Sequence, residues 1–284
     1  MGTTHFFREL CKNRLAALSL GFIGLLACAG FWPQLFSSYS PAGLDYEHIL
    51  EGPSVSHWMG TDLLGRDVFT RLLYGARVSL TVGVGTAVLS LLLGTGYGLM
   101  AGYSKPWIDN LMMRFVDLFY GLPELIIFVL LSLVFGRNVF GLMISLGLVV
   151  WVRFARVARG QVLQVKEFAF VEAARSAGAS STTILTRHIL PNILAPVLVT
   201  LTFTVPAMIL AESTLSFIGL GINDPYSAWG TSWGTLTQDG WRAMRTYPHI
   251  IVFPALAIFL TILCLNFIGN TARDILDPKT STRQ

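Results

Sequence analysis

Six apolar runs govern what this chain can fold into: residues 15–31, 78–103, 111–135, 138–152, 192–215 and 250–268. Most approach or exceed the roughly 20 residues that carry a helix across a hydrocarbon layer. No water reaches backbone N–H and C=O groups inside a bilayer, so each run is confined to a helix that satisfies itself. The predicted fold is therefore an all-α integral membrane protein with six transmembrane helices. Composition agrees, with 53% hydrophobic residues, 13% charged residues and a mean hydropathy of +0.62. A soluble enzyme of this length has no need of such runs. The lipid bilayer is the first partner implied. The net charge of +4 is spread without a Lys/Arg stripe interleaved with aromatics, so no nucleic-acid partner is expected.

The first run follows Arg8, Lys12 and Arg14 and contains Leu25-Leu26-Ala27-Cys28, which looks like a cleavage site. Hydrophobicity continues through Phe31 and Trp32, and further spans follow, so it is predicted to stay as a membrane helix rather than leave as a signal peptide. Cys11, Cys28 and Cys264 show no metal-ligand spacing and read as small apolar fillers.

Boundaries follow from the polar stretches. Residues 1–36 hold the amino-terminal segment and first span, 37–77 a polar segment, and 78–284 a core with five spans. In the polar segment, Gly60-Thr61-Asp62 and Gly65-Arg66-Asp67 read as tight turns, Gly supplying positive φ and Asp bonding backbone N–H groups. Residues 67–80 read as an amphipathic helix entering the membrane. His48 and His57 lie nine residues apart without a cysteine or a close carboxylate pair, a spacing that argues against a metal site. In the second span, Gly94, Gly98 and Gly102 share one helix face, the pattern of close helix packing in membranes. No strand precedes them and no Lys-Ser/Thr follows, so they are not a nucleotide loop.

Asp117, Glu124 and Glu212 are carboxylates inside apolar runs, where charge is expensive and faces protein or water. They are the candidates for a translocation path, Glu124 alternatively pairing with Arg137 or Arg153. Read as one straight helix from Leu111, the third span puts Glu124 about 20 Å in, past mid-bilayer. Residues 158–191 form a polar loop with internal order. Residues 168–177 have helix-forming composition, and Gly178 is placed to close that helix. Ser180 and Ser181 are N-cap candidates for a second short helix at 182–189, and Pro191 restarts the chain. The loop at 219–249 carries Trp229, Trp233 and Trp241, residue types common at membrane surfaces.

Six spans put both termini on one side. Assigning the amino terminus, the Lys105 turn, the 158–191 loop and the tail to the inside gives those segments, with their flanks, 14 of the 20 Lys/Arg. The positive-inside bias thus makes both termini and that loop cytoplasmic.

Glu172-Ala173-Ala174, Gly178 and Leu190-Pro191 resemble the EAA loop of ABC-importer permeases. His57, Gly60-Thr61-Asp62 and Gly65-Arg66-Asp67, with Pro206 to Gly221 and Asn266 to Gly269, extend the resemblance nearly end to end. So do Arg273-Asp274 and Leu276-Asp277-Pro278-Lys279. The family is that of dipeptide/oligopeptide permeases, in particular the C-type partner of its two membrane subunits; an Asn at 270 where Asp is common is a minor departure. The resemblance implies a type I importer fold and a homologous second permease. It also implies two cytoplasmic ATPases that bind ATP and Mg²⁺, and an extracytoplasmic binding protein that delivers a peptide substrate. It assigns ATPase coupling to Glu172, Ala173, Ala174, Gly178, His188, Leu190 and Pro191. It makes Trp229, Trp233, Thr235 and Trp241 candidates for binding-protein contact. No Walker A sequence is present, so neither catalysis nor a cofactor of its own is expected of this chain. The same scaffold could import nickel chelates, glycosides or antimicrobial peptides. A secondary transporter would leave the EAA elbow unexplained, and an intramembrane hydrolase lacks a positioned nucleophile and base.

Overall fold

The computed structural model describes residues 3–222 and 229–276. The expectations for Asp277-Pro278-Lys279 and for part of the 219–249 loop lie outside these residues. The described chain is helical: α1 (Thr3–Lys12), α2 (Arg14–Phe31), α3 (Val68–Tyr103), α4 (Pro106–Tyr120), α5 (Glu124–Phe135) and α6 (Val139–Val165). Then come α7 (Ala169–Ser176), the single turn α8 (Ser181–Thr183), a π-helical stretch (Ile184–Ile189), α9 (Leu190–Phe217), α10 (Trp233–Ala243) and α11 (His249–Leu276). Five helical segments are long and apolar enough to cross a membrane, and α4 with α5 supplies a sixth if the bent pair counts as one span.

That bend corrects the straight third span of the sequence reading. The helices meet at 90° across Gly121-Leu122-Pro123. Pro123 pushes Leu122 out of the helical region and cannot donate a backbone hydrogen bond, so α4 ends before it and α5 begins after it. Glu124 is consequently the first residue of α5, not a position 20 Å along a rod. A second correction concerns the loop at 158–191. Its second arm is no separate short helix, because Ser181 to Phe217 runs on as one 37-residue span. Within that span Pro191 directly follows the π-helical stretch Ile184–Ile189, an irregular turn beside a residue that has no backbone N–H to donate.

The centre of the bundle is α3 laid against α6. A Cβ on Gly94 or Gly98 would overlap the Trp151 and Ala155 carbonyl oxygens, and one on Gly102 would come 2.8 Å from Val162 Cβ. The glycine stripe is thus the close-packing surface its spacing predicts. Lys166, at the end of α6, donates to the Gly102 carbonyl at 3.2 Å and so caps the end of α3. Around this pair, Val78, Val82, Leu142, Leu146 and Met208 form one apolar core. Phe154, Val162, Val171, Ile184 and Ile193 form another at the far end, tying α6, α7 and α9 together.

The segment before α3 is built on its two glycine turns, with φ of +75° at Gly60 and +73° at Gly65. Asp67 caps α3 by accepting from Thr70 N at 2.7 Å. Asp62, 1% exposed, accepts from Arg66 Nε at 2.8 Å and from Arg71 Nη1. Arg71 also reaches Asp239 of α10 at 3.2 Å. These turns therefore do more than reverse the chain: they lock the start of α3 to α10. A buried charge left without its partner is costly, so this cluster stands or falls as a unit.

Candidate functional site

The elbow begins where α6 ends. α7 is closed by Gly178 at φ +82°, with Gly178 N donating to Arg175 O and Ala179 N to Ala174 O, both at 3.0 Å. This is the Schellman closure that only a left-handed residue allows. Ser180, not Ser181, caps the next turn by accepting from Thr183 N at 3.2 Å. Val171, Ile184 and Ile189 are buried and pin the elbow to the bundle.

The opposite face is open. Glu172, Ala173 and Arg175 are exposed, as are the rings of Phe168 and Phe170, 5.9 Å apart. His188 is half-buried with its ring 6.5 Å from that of Phe170, Leu190 is half-buried, and Pro191 and Gly178 are exposed. Among the described residues the Glu172 carboxylate makes no side-chain bond, so it does not fix α7 by polar contact. The Schellman closure and Val171 hold the helix instead. The two phenylalanines escaped the sequence reading, although an aromatic pair at the head of a polar loop is itself a signal of a covered surface.

A second constellation joins α4 and α5 to α6. Arg159 forks onto Asp109 at 2.6 and 2.7 Å, Arg156 meets Asp117 at 2.6 Å, and Arg153 meets Glu124 at 3.6 Å. Arg156 also lies over the Tyr120 ring at 3.7 Å. The arginines recur every three residues, which stacks them on one face of α6. The Arg159 pair is the most enclosed. Asp117, Glu124, Arg153 and Arg156 keep roughly half their side-chain surface open. Charges open within a spanning region face water or another protein. Arg156 and Arg159 enter the topology count only as charges, yet their three-residue spacing is visible in the sequence itself.

Glu212 is different. It is fully buried, accepting from Ser79 Oγ at 3.0 Å and Ser216 Oγ at 2.6 Å. Ser79 Oγ in turn accepts from Trp233 N at 3.3 Å. Glu212 thus knots α9, α3 and α10 together, and its carboxylate reaches no open surface here.

Beyond that knot, Trp233 is 0% exposed and donates Nε1 to Leu72 O at 3.0 Å. It belongs to the core and is unavailable as a docking contact, which corrects its assignment. Thr235 is half-buried and engaged with Ser232 in a capping box. Trp229 and Trp241 are exposed, Trp229 beneath the Arg77 guanidinium at 5.3 Å.

Residues 94–282 match the family model described as "Binding-protein-dependent transport system inner membrane component". The chain belongs to that family. It is accordingly a multi-pass inner-membrane permease component of an ABC importer, a class whose membrane subunits work with ATPases and substrate-binding proteins. Similar over nearly their whole length are two Bacillus subtilis proteins. The dipeptide transport system permease protein DppC is 40% identical, covering 98% of this chain and 86% of that protein. The oligopeptide transport system permease protein OppC is 39% identical, covering 94% and 87%. The glutathione transport system permease protein GsiD of Pectobacterium atrosepticum is 36% identical, covering 96% and 90%. Among solved structures, the inward-facing MetNI methionine ABC transporter aligns with a TM-score of 0.57 at 13% identity, over 73% of this permease and 96% of that chain. An amino acid ABC transporter solved with histidines aligns at 0.52 and 18% identity, over 72% and 94%. The fold is that of type I importer permeases.

Proposed function

We propose that this permease forms, with a homologous second subunit, the path by which di- and oligopeptides enter the cell. Two separate ATPases, holding ATP and Mg²⁺, drive it through the elbow, and an extracytoplasmic binding protein delivers the peptide. The observation that carries the substrate class is the end-to-end identity of 36–40% to permeases named for oligopeptides, dipeptides and glutathione, itself a peptide. The open face of the elbow supports the coupling role. Phe168 and Phe170 offer apolar surface, Ala173 permits close approach, and Glu172 and Arg175 have charges free for an outside partner. With the elbow at the ATPase, both termini are cytoplasmic, in keeping with the positive-inside bias.

A peptide carries an ammonium, a carboxylate and backbone polar groups, so its route must be wet and must exchange partners readily. The half-open pairs Glu124–Arg153 and Asp117–Arg156 suit that need, since each can release one member to a substrate terminus while the other stays solvated. The test is uptake of labelled peptides by the complete transporter in proteoliposomes, with ATP hydrolysis followed in parallel. ATP-dependent accumulation of peptides supports the assignment. Accumulation of another solute class with no peptide uptake overturns it. In the same assay Glu124→Gln is expected to shift the preference among peptides of different charge. Unchanged uptake across them all would make that carboxylate structural.

A further inference from the structure

The segment between α2 and α3 holds a cluster that the transport reading leaves unused. His57 is buried, 4% exposed, with Nδ1 3.0 Å from Asp67 Oδ1. The other oxygen of Asp67 accepts from Thr70 N and Thr70 Oγ1, both at 2.7 Å, so this carboxylate is fixed in place. With Nδ1 engaged from behind by a carboxylate, Nε2 is the donor atom His57 has left to offer, the arrangement that orients metal-binding imidazoles. The ring is further fixed by Tyr39, with centroids 4.9 Å apart.

Two more donors converge on it. The His48 ring lies 5.9 Å away, centroid to centroid, and Asp45 Oδ2 is 2.8 Å from His48 Nδ1. One ligand atom from each of Asp45, His48 and His57 falls within 4.8 Å of the other two. A tetrahedral ion with bonds of about 2.0–2.1 Å places its ligand atoms roughly 3.3 Å apart, so a closure of about 1.5 Å or less assembles the site. Asp45 and His48 keep 43% and 49% of their side-chain surface open, which leaves both free to make that adjustment. Sequence spacing speaks against a metal here for want of a nearby carboxylate pair; folding supplies Asp45 as ligand and Asp67 as support.

We infer that Asp45, His48 and His57 bind a divalent transition metal of the zinc type, with Asp67 orienting His57. Two imidazoles and one carboxylate suit zinc, nickel or copper rather than magnesium or calcium, and three protein donors leave a further position to water. The ion would tie residues 45–48 to the base of α3 through His57 and the helix cap it touches.

The test uses the complete transporter, purified without a histidine tag, stripped with chelator and titrated with Co²⁺ as a visible probe and then with Zn²⁺. The wild type is expected to develop the intense visible bands of four-coordinate Co²⁺, to lose them to Zn²⁺, and to ignore Mg²⁺. His48→Ala, at an exposed position, and Asp45→Asn, at a half-buried one whose side chain keeps 43% of its surface open, should bind at least about tenfold more weakly while the complex still elutes intact. His57 is left unsubstituted because its loss would also disturb the α3 cap. Equal metal uptake by wild type and His48→Ala would overturn the inference, and so would the absence of any Co²⁺ band. In either case the side chains are two neighbouring hydrogen-bonded pairs, His48–Asp45 and His57–Asp67, and nothing more.

Discussion

Glu124 and Glu212 carry the same carboxylate into opposite surroundings, and substitution should separate them. Replacing Glu212 by Ala leaves the buried hydroxyls of Ser79 and Ser216 without their acceptor. Each orphaned buried group costs about 1–3 kcal/mol, so thermal unfolding of the detergent-solubilised complex should fall by several degrees. Glu124→Ala removes a half-open pair worth about 1 kcal/mol or less, and the same melting curve should barely move. A wild-type melting temperature for Glu212→Ala would mean that the serines find other partners. Gly178 poses a different question. Nothing lies within 4 Å of where its Cβ would sit, so a side chain there meets no clash, only a φ of +82° that costs non-glycine residues about 1–2 kcal/mol and β-branched ones more. Gly178→Val should therefore open the Schellman closure without disturbing insertion. ATP hydrolysis is expected to persist while peptide uptake per ATP falls severalfold, and normal uptake would count against the elbow as transmission.

At the scale of elements, hydropathy marks where lipid is, whereas helices end only where backbone hydrogen bonding ends. That is why the spans were legible and their lengths were not. α3 starts at Val68 and α6 continues to Val165, through polar residues that a hydropathy window discards but that carry no helix breaker. Gly121 and Pro123 were visible as irregularities, but the 90° turn depends on where α5 finds its packing, which composition does not encode. The glycine stripe was fully legible because a four-residue repeat has one structural meaning in a membrane helix. Gly98→Leu should therefore be severe: forcing a branched side chain against the Ala155 carbonyl separates α3 from α6, a cost of about 1–3 kcal/mol or more. The expected readout is loss of membrane-inserted protein on immunoblots, with Gly96→Leu as the control because its Cβ position is open. The arginine ladder can be tried by charge exchange. Asp109→Arg should destabilise the permease, and adding Arg159→Asp should restore part of the loss, a coupling that two independent surface charges would not show.

For the molecule as a whole, burial sorts the candidate contact residues in a way that their sequence does not. Burial divides the tryptophans into Trp233 inside and Trp229 and Trp241 outside, and no local pattern announces which turn of α10 faces the bundle. A cysteine at 241 should accordingly crosslink to the binding protein in the assembled importer, and one at 233 should not. Crosslinking at neither position in any nucleotide state would leave the exposed tryptophans as membrane-surface anchors. The uninterrupted run from Ser181 to Phe217 joins the elbow to the Glu212 knot with no loop between them. Thirty-seven helical residues make a rod about 55 Å long, close to twice the hydrocarbon thickness. Such a rod works as a lever arm. A tilt of about 5° with its elbow end as fulcrum sweeps the far end through about 5 Å, the rise of nearly one helical turn. On the proposed coupling, a small rocking where the elbow meets the ATPase would arrive magnified at the opposite end of the helix, where the Glu212 carboxylate and its serines would have to yield.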